Sequence, residues 1–158
     1  GWLIRYAERE PGPGDLDFPP LLMVHGFGGS LDQWAGCFSN LSEKFHLFAV
    51  DMIGFGHSAK PPLSYSQHLW SQQLCDFGRR VIKRPFFIAG NSIGGYMSMS
   101  AAALLGKNWC KGLVLLNSAG RLLTNQEYNE ERIKFKGLSV QKATLKGQLP
   151  PYSAPPNF

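Results

Sequence analysis

Ser92 sits in the pentapeptide Gly90-Asn91-Ser92-Ile93-Gly94, with Gly95 directly after it. A serine in a G-x-S-x-G setting is suited to nucleophilic attack on a carbonyl carbon. To present its hydroxyl at the tip of a sharp strand-to-helix turn, the serine must adopt a strained backbone. The residues two before and two after then come too close for side chains. Gly90 and Gly94 meet that need, and Gly95 clears further space for helix against strand. Glycine and serine are common, so the pentapeptide alone also fits an ordinary turn serine. Its context favours the nucleophile: an apolar run, 85–90, precedes it and an Ala-rich run, 93–105, follows.

Acyl transfer develops negative charge on a carbonyl oxygen, which calls for preorganised donors aimed at one point. The glycine-rich turn His25-Gly26-Phe27-Gly28-Gly29 can expose backbone N–H groups in that way. The expected oxyanion pair is the N–H of Phe27 and the N–H of Ile93, the latter at a helix N-terminus. His25 and Gly26 are expected to shape this loop, with His25 ordering it by hydrogen bonds rather than transferring protons.

A serine nucleophile also needs a base, and the base an orienting acid. The histidines are His25, His46, His57 and His68. His46 begins a strand at the wrong edge of the sheet, and His68 lies early in a helix. His57 is on the correct edge, in a loop expected to shape the site. Asp51 ends a strand on that edge and is placed to order the glycine loop after it. No triad emerges from these residues.

Gly54-Phe55-Gly56-His57-Ser58-Ala59 matches the G-x-G-x-x-A dinucleotide fingerprint. That fingerprint needs a helix to start inside it, and Lys60-Pro61-Pro62 forbids one. Neither glycine loop has the lysine spacing of a Walker loop, so nucleotide binding is rejected. Cys37, Cys75 and Cys110 form no CxxC pair and read as reduced thiols. No cofactor and no metal are expected.

The elements that would hold these residues alternate between two periods. Residues 2–8 read as a strand, followed by a Pro/Gly-rich turn at 10–20. Apolar runs at 21–26, 46–52, 85–90 and 112–118 read as buried strands. Helical spacing joins Leu31, Trp34, Phe38 and Leu41, with Ser30 as N-cap, and near-helical spacing joins Leu69, Leu74, Phe77 and Val81. A third helix covers 93–105. This pattern implies an α/β fold with a doubly wound, mostly parallel sheet whose motif-bearing loops share one edge.

The chain has 158 residues, 44% hydrophobic and 17% charged, which suits a soluble globular domain. Its net charge of +5 is scattered. The densest basic group, 79–84, falls at a helix end where cations complement the dipole, so no nucleic-acid partner is expected. No apolar run approaches a membrane span. The start lacks Met and signal-peptide zones, which suggests that an N-terminal part is missing. Nothing in the sequence sets the oligomeric state.

With "HGFGGS", "DMIGFGHSAKP", "GNSIGGYMSMSAA" and "GLVLLNSAG" in this order, the chain resembles the N-terminal half of an α/β-hydrolase-fold protein. Its wording is similar to the plant and cyanobacterial branch of pheophytinase-like serine esterases. The resemblance covers roughly residues 2–120 and implies Ser92-dependent hydrolysis of an ester-type bond in a small-molecule acyl substrate, expected to be apolar. It also implies a catalytic acid and histidine on later strands, and a chloroplast or cytoplasmic location. The position after the family's sixth strand is Asn117-Ser118, not an acid. Residues 121–158 would match the start of a lid or cap, or an irregular tail with an amphipathic helix near 128–135. The expectation is a chain truncated after about the sixth strand, inactive alone, with 112–118 as an aggregation-prone edge. The alternative reading is a non-catalytic binding or regulatory module of the same fold.

Overall fold

The computed structural model describes residues 1–11 and 18–120. Five strands form one sheet in the order β1-β3-β2-β4-β5. They are β1 (Tyr6–Arg9), β2 (Pro20–Val24), β3 (His46–Val50), β4 (Phe86–Asn91) and β5 (Cys110–Leu116). All neighbours pair in parallel except β1, which runs antiparallel to β3.

The inner strands β2, β3 and β4 are apolar at nearly every position because helices cover both faces, whereas β1 and β5 at the two edges are largely exposed. Side chains alternate along a strand, so β2 sends Leu22 and Val24 to one face and Leu21 and Met23 to the other. The first face packs with Phe48, Val50, Trp70, Leu74, Ile88, Met97 and Ala101 against α2 (Gln67–Phe77) and α3 (Ile93–Trp109). The second packs Leu47, Ala49 and Ala89 with Leu31 and Trp34 beside α1 (Ala35–Leu41). Each fully buried Leu, Ile, Val or Phe adds about 1.5–3 kcal/mol of transfer free energy.

Several boundaries differ from the sequence expectation for local reasons. Residues 2–5 are not strand, since they bond the 51–59 segment: Asp51 N–H donates to Arg5 O and Ala59 N–H to Leu3 O, both at 2.9 Å. The first helix begins as a 3₁₀ turn, Leu31–Trp34, with Ser30 Oγ accepting from Asp32 N–H. After α2 the chain widens into a π turn, Gly78–Ile82, that ends at Lys83 with φ 60°. Gly78 lets the Phe86 ring lie where a β-carbon would collide. The helix expected over 93–105 breaks at Gly106, non-helical at φ 64° and ψ 177°, and a short further helical stretch carries α3 to Trp109. Strand β5 starts two residues before 112 because the register against β4 slips between Phe86 and Phe87, leaving Lys111 without an opposite residue.

The five expected strands all lie among the described residues. On its far side β5 has no strand neighbour among them, and Val114, Leu115 and Leu116 are exposed. The expected lid, tail and helix near 128–135 fall outside the described residues.

Candidate active site

Register brings the motif residues together. Val24 is level with Val50 on one side and with Gly90 on the other. The next residues, His25, Asp51 and Asn91, therefore lie in one row at this edge of the sheet, Asn91 being the last residue of β4, and Ser92 follows immediately.

Ser92 has φ 53° and ψ −120°, a conformation that an L-residue holds at a cost of about 1–3 kcal/mol. Its backbone is held on both sides. Ser92 N–H donates to Leu116 O at 3.0 Å, and Ser92 O accepts from Ala119 N–H at 2.8 Å and Gly95 N–H at 3.0 Å. The residue stands at the N-cap of α3, yet its side chain makes no capping hydrogen bond. Ser92 thus stands at the positive end of the helical run that continues to Leu105.

The glycines act as the turn demands. A β-carbon on Gly90 would meet Gly94 O at 2.5 Å and Gly95 Cα at 2.6 Å. On Gly94 it would strike the carbonyls of Val24 and His25, and on Gly95 it would lie 3.0 Å from Gly90 O. On Gly26 it would lie 3.5 Å from Ser92 Cβ, which sets the first glycine loop directly beside the elbow.

In that loop Gly26 N–H donates to Gln33 Oε1 and Gly29 N–H to Gly26 O, both at 3.1 Å. Phe27 N–H is outside these bonds, and Ile93 N–H belongs to the first turn of α3, where helix geometry supplies no partner. The Phe27 ring is 74% exposed and meets Phe55 edge-on at 5.3 Å. Phe55 contacts Trp70, which stacks on Tyr65 at 5.9 Å. A cavity of about 10 Å³, no larger than a water, lies among His25, Met52, Phe55, Trp70, Ile93, Gly94 and Met97. A larger groove of about 420 Å³ lies away from Ser92, between Trp2, Ile4 and Tyr6 and the side of α2.

His25 is buried and fully engaged. Its Nε2 accepts Met52 N–H at 3.0 Å, so Nδ1 carries the proton and donates to Gly26 O at 2.7 Å. Asp51 is wholly buried and accepts Leu31 N–H at 2.6 Å on Oδ1 and His57 N–H at 2.7 Å on Oδ2. A β-carbon at Gly56 would overlap its carboxylate. His57 Nδ1 faces Arg5 Nη1 at 3.0 Å, His46 Nε2 pairs with Glu8 Oε1 at 2.9 Å, and His68 lies exposed in the first turn of α2. Among the described residues no histidine hydrogen-bonds Ser92.

Three participants carry no sequence signal. Gln33 and Gln73 cap loop amides, Gln73 accepting Ile53 N–H at 2.8 Å. Arg5 binds Asp32 through both guanidinium arms at 3.0 Å. Hydrogen bonding to Arg5, and then to Ser30, holds the Asp32 carboxyl below its usual range, and Asp32 in turn raises Arg5. These pairs are far apart in sequence, and no local pattern marks them.

The arrangement places a strained, uncapped serine at the start of α3, beside the glycine loop at Gly26, with neither base nor acid joined to it among the described residues. Such a site can present an oxygen nucleophile to an acyl carbon. The model of the alpha/beta hydrolase fold matches residues 19–140. Lipase 1 of Psychrobacter immobilis is 35% identical over 117 residues, covering 73% of this chain and 35% of that protein. Chloroplastic pheophytinase of Arabidopsis thaliana is 27% identical over 146 residues, covering 73% of this chain and 30% of that protein. The crystal structure of a membrane phospholipase A, described as a bacterial virulence factor, matches with a TM-score of 0.68 and 31% identity over 82% of this chain and 41% of that one. The chain spans about a third of the length of these two curated relatives. With its matching motifs, sheet order and elbow, the chain belongs to the alpha/beta hydrolase fold family.

Proposed function

We propose that this chain carries the nucleophile and oxyanion site of a serine hydrolase that cleaves an ester-type bond in an apolar acyl substrate. The observation that carries this reading is the backbone of Ser92 at φ 53° and ψ −120°, between β4 and α3. Strain of that kind persists only where surrounding contacts over-determine it, and it clusters at functional sites. In the proposed reaction Ser92 Oγ bonds to the acyl carbon, and the N–H groups of Phe27 and Ile93 stabilise the resulting oxyanion. The hydroxyl proton passes to a base and then to the leaving alcohol, and water later releases the acid. All four histidines lie among the described residues and none of them hydrogen-bonds Ser92, so no base is identified there. The exposed Phe27 ring and the Phe55–Trp70–Tyr65 row favour an apolar acyl group.

A second reading, a non-catalytic binding module, is favoured by the same lack of a histidine bonded to Ser92. A fluorophosphonate probe separates the two. Phosphonylation at Ser92 that disappears in Ser92→Ala supports the hydrolase. With these residues alone, hydrolysis of p-nitrophenyl esters is expected to be very low, and robust turnover that survives Ser92→Ala would overturn the assignment.

A further inference from the structure

We infer that Arg5 is a positioning residue that holds the Phe27 loop in register with the elbow, an inference that rests on the serine-hydrolase reading of Ser92. Arg5 reaches three segments at once. Its guanidinium binds both oxygens of Asp32 at 3.0 Å, meets His57 Nδ1 at 3.0 Å, and lies 3.5 Å from the buried Asp51 Oδ2. Its backbone N–H donates to Ser58 Oγ at 2.9 Å, and its carbonyl accepts Asp51 N–H at 2.9 Å.

Asp32 closes the loop that carries Phe27. That loop is anchored at its start by the bond between Met52 and His25 and at its end by Leu31 N–H on Asp51. Ser30 Oγ adds a bond to Asp32 Oδ2 at 2.9 Å, which fixes the carboxylate that Arg5 grips. Arg5 thus closes a ring of contacts running from Asp32 through itself to His57 and Asp51 and back to Leu31.

The Arg5 side chain is 34% exposed and that of Asp32 59%, so the pair contributes little to global stability. What a planar two-armed fork supplies is direction, since it fixes both the distance and the plane of the carboxylate. Displacement of the Asp32 end would be passed along the short loop to Phe27 N–H, the amide assigned to the oxyanion. A lysine would provide a single point contact and lose the planar fit.

Amide exchange on the full chain tests the positioning directly. Arg5→Ala is expected to speed exchange across 27–33 and 54–58 by about tenfold while β4 and α3 stay close to wild type. Asp32→Asn should reproduce this, Arg5→Lys should fall between, and the double variant should add nothing to either single one. In parallel, fluorophosphonate saturation kinetics should show the maximal labelling rate of Ser92 falling about tenfold in Arg5→Ala with little change in probe affinity. Unchanged loop exchange, exchange that rises evenly across the whole sheet, or an unaltered labelling rate beside a loosened loop would overturn the inference. A wild-type chain that never labels removes the serine-hydrolase reading and with it the catalytic meaning of Arg5, while the exchange pattern still decides whether Arg5 positions the loop.

Discussion

Met52 donates its backbone N–H to Nε2 of His25 across 3.0 Å, and His25 returns the tie by donating from Nδ1 to Gly26 O at 2.7 Å. One imidazole thereby joins the segment after β3 to the loop after β2. Both nitrogens are occupied, so His25 has neither a lone pair nor a free proton for Ser92.

That relationship gives the first prediction. His25→Phe keeps an aromatic ring of similar size but leaves Met52 N–H buried without an acceptor. The expected loss is about 1–3 kcal/mol in the urea midpoint with an unchanged slope. Labelling of Ser92 should slow without changing its pH dependence. A variant whose labelling loses a titrating step would mean that His25 handles the proton after all.

Asp51→Asn is expected to be about as damaging although it preserves volume. Both carboxylate oxygens accept backbone N–H groups, from Leu31 and His57. A carboxamide satisfies one and turns its own NH₂ toward the other, donor against donor. The expected cost is about 2–3 kcal/mol by equilibrium unfolding, with faster amide exchange at both Leu31 and His57. A loss below 0.5 kcal/mol, roughly the scatter of surface substitutions, would remove Asp51 from this role.

The strands and the serine turn were legible because each imposes a short-range rule. The run 21–24 is continuously apolar because both faces of β2 are covered, and Gly90 and Gly94 sit at fixed offsets from Ser92 because backbone atoms occupy the space their side chains would need. Asp51 was legible as a loop-ordering acid from its place at a strand end. The Arg5 contacts were not, since they span 27 residues to Asp32 and 52 to His57. The π turn after α2 escaped too, because the apolar spacing of Leu74, Phe77 and Val81 continues through it. In both cases tertiary packing decides the outcome, and local periodicity is silent.

A glycine series separates steric need from conformational need. Gly94→Ala drives a methyl into the carbonyls of Val24 and His25, which cannot move without the sheet, and should cost about 3 kcal/mol. Gly28→Ala meets no atom within 4 Å but sits at φ +71°, so about 1 kcal/mol is expected from the backbone alone. Gly36→Ala, in open space within α1, should gain about 0.5–1 kcal/mol. Thermal melting of the three variants checks the order, and equal shifts for Gly94 and Gly36 would contradict the packing described above.

The Asp32 end of the Phe27 loop should loosen in acid. Hydrogen bonding to Arg5 and then to Ser30 holds the Asp32 carboxyl below its ordinary value of about 3.9. A depressed folded-state value means that the contribution is fully present above the unfolded value and is lost as pH falls through the folded one. Arg5, raised above its own ordinary value, stays charged throughout this range and drops out of the balance. The contact between Asp32 and Arg5 should therefore be complete at neutral pH and fade only below about pH 4. Carboxyl-carbon NMR of Asp32 can follow the midpoint directly. Arg5→Ala should move that midpoint up toward the ordinary value, and Ser30→Ala should move it in the same direction by less. A midpoint that stays in place when Arg5 is removed would mean that the guanidinium does not hold the carboxylate in solution.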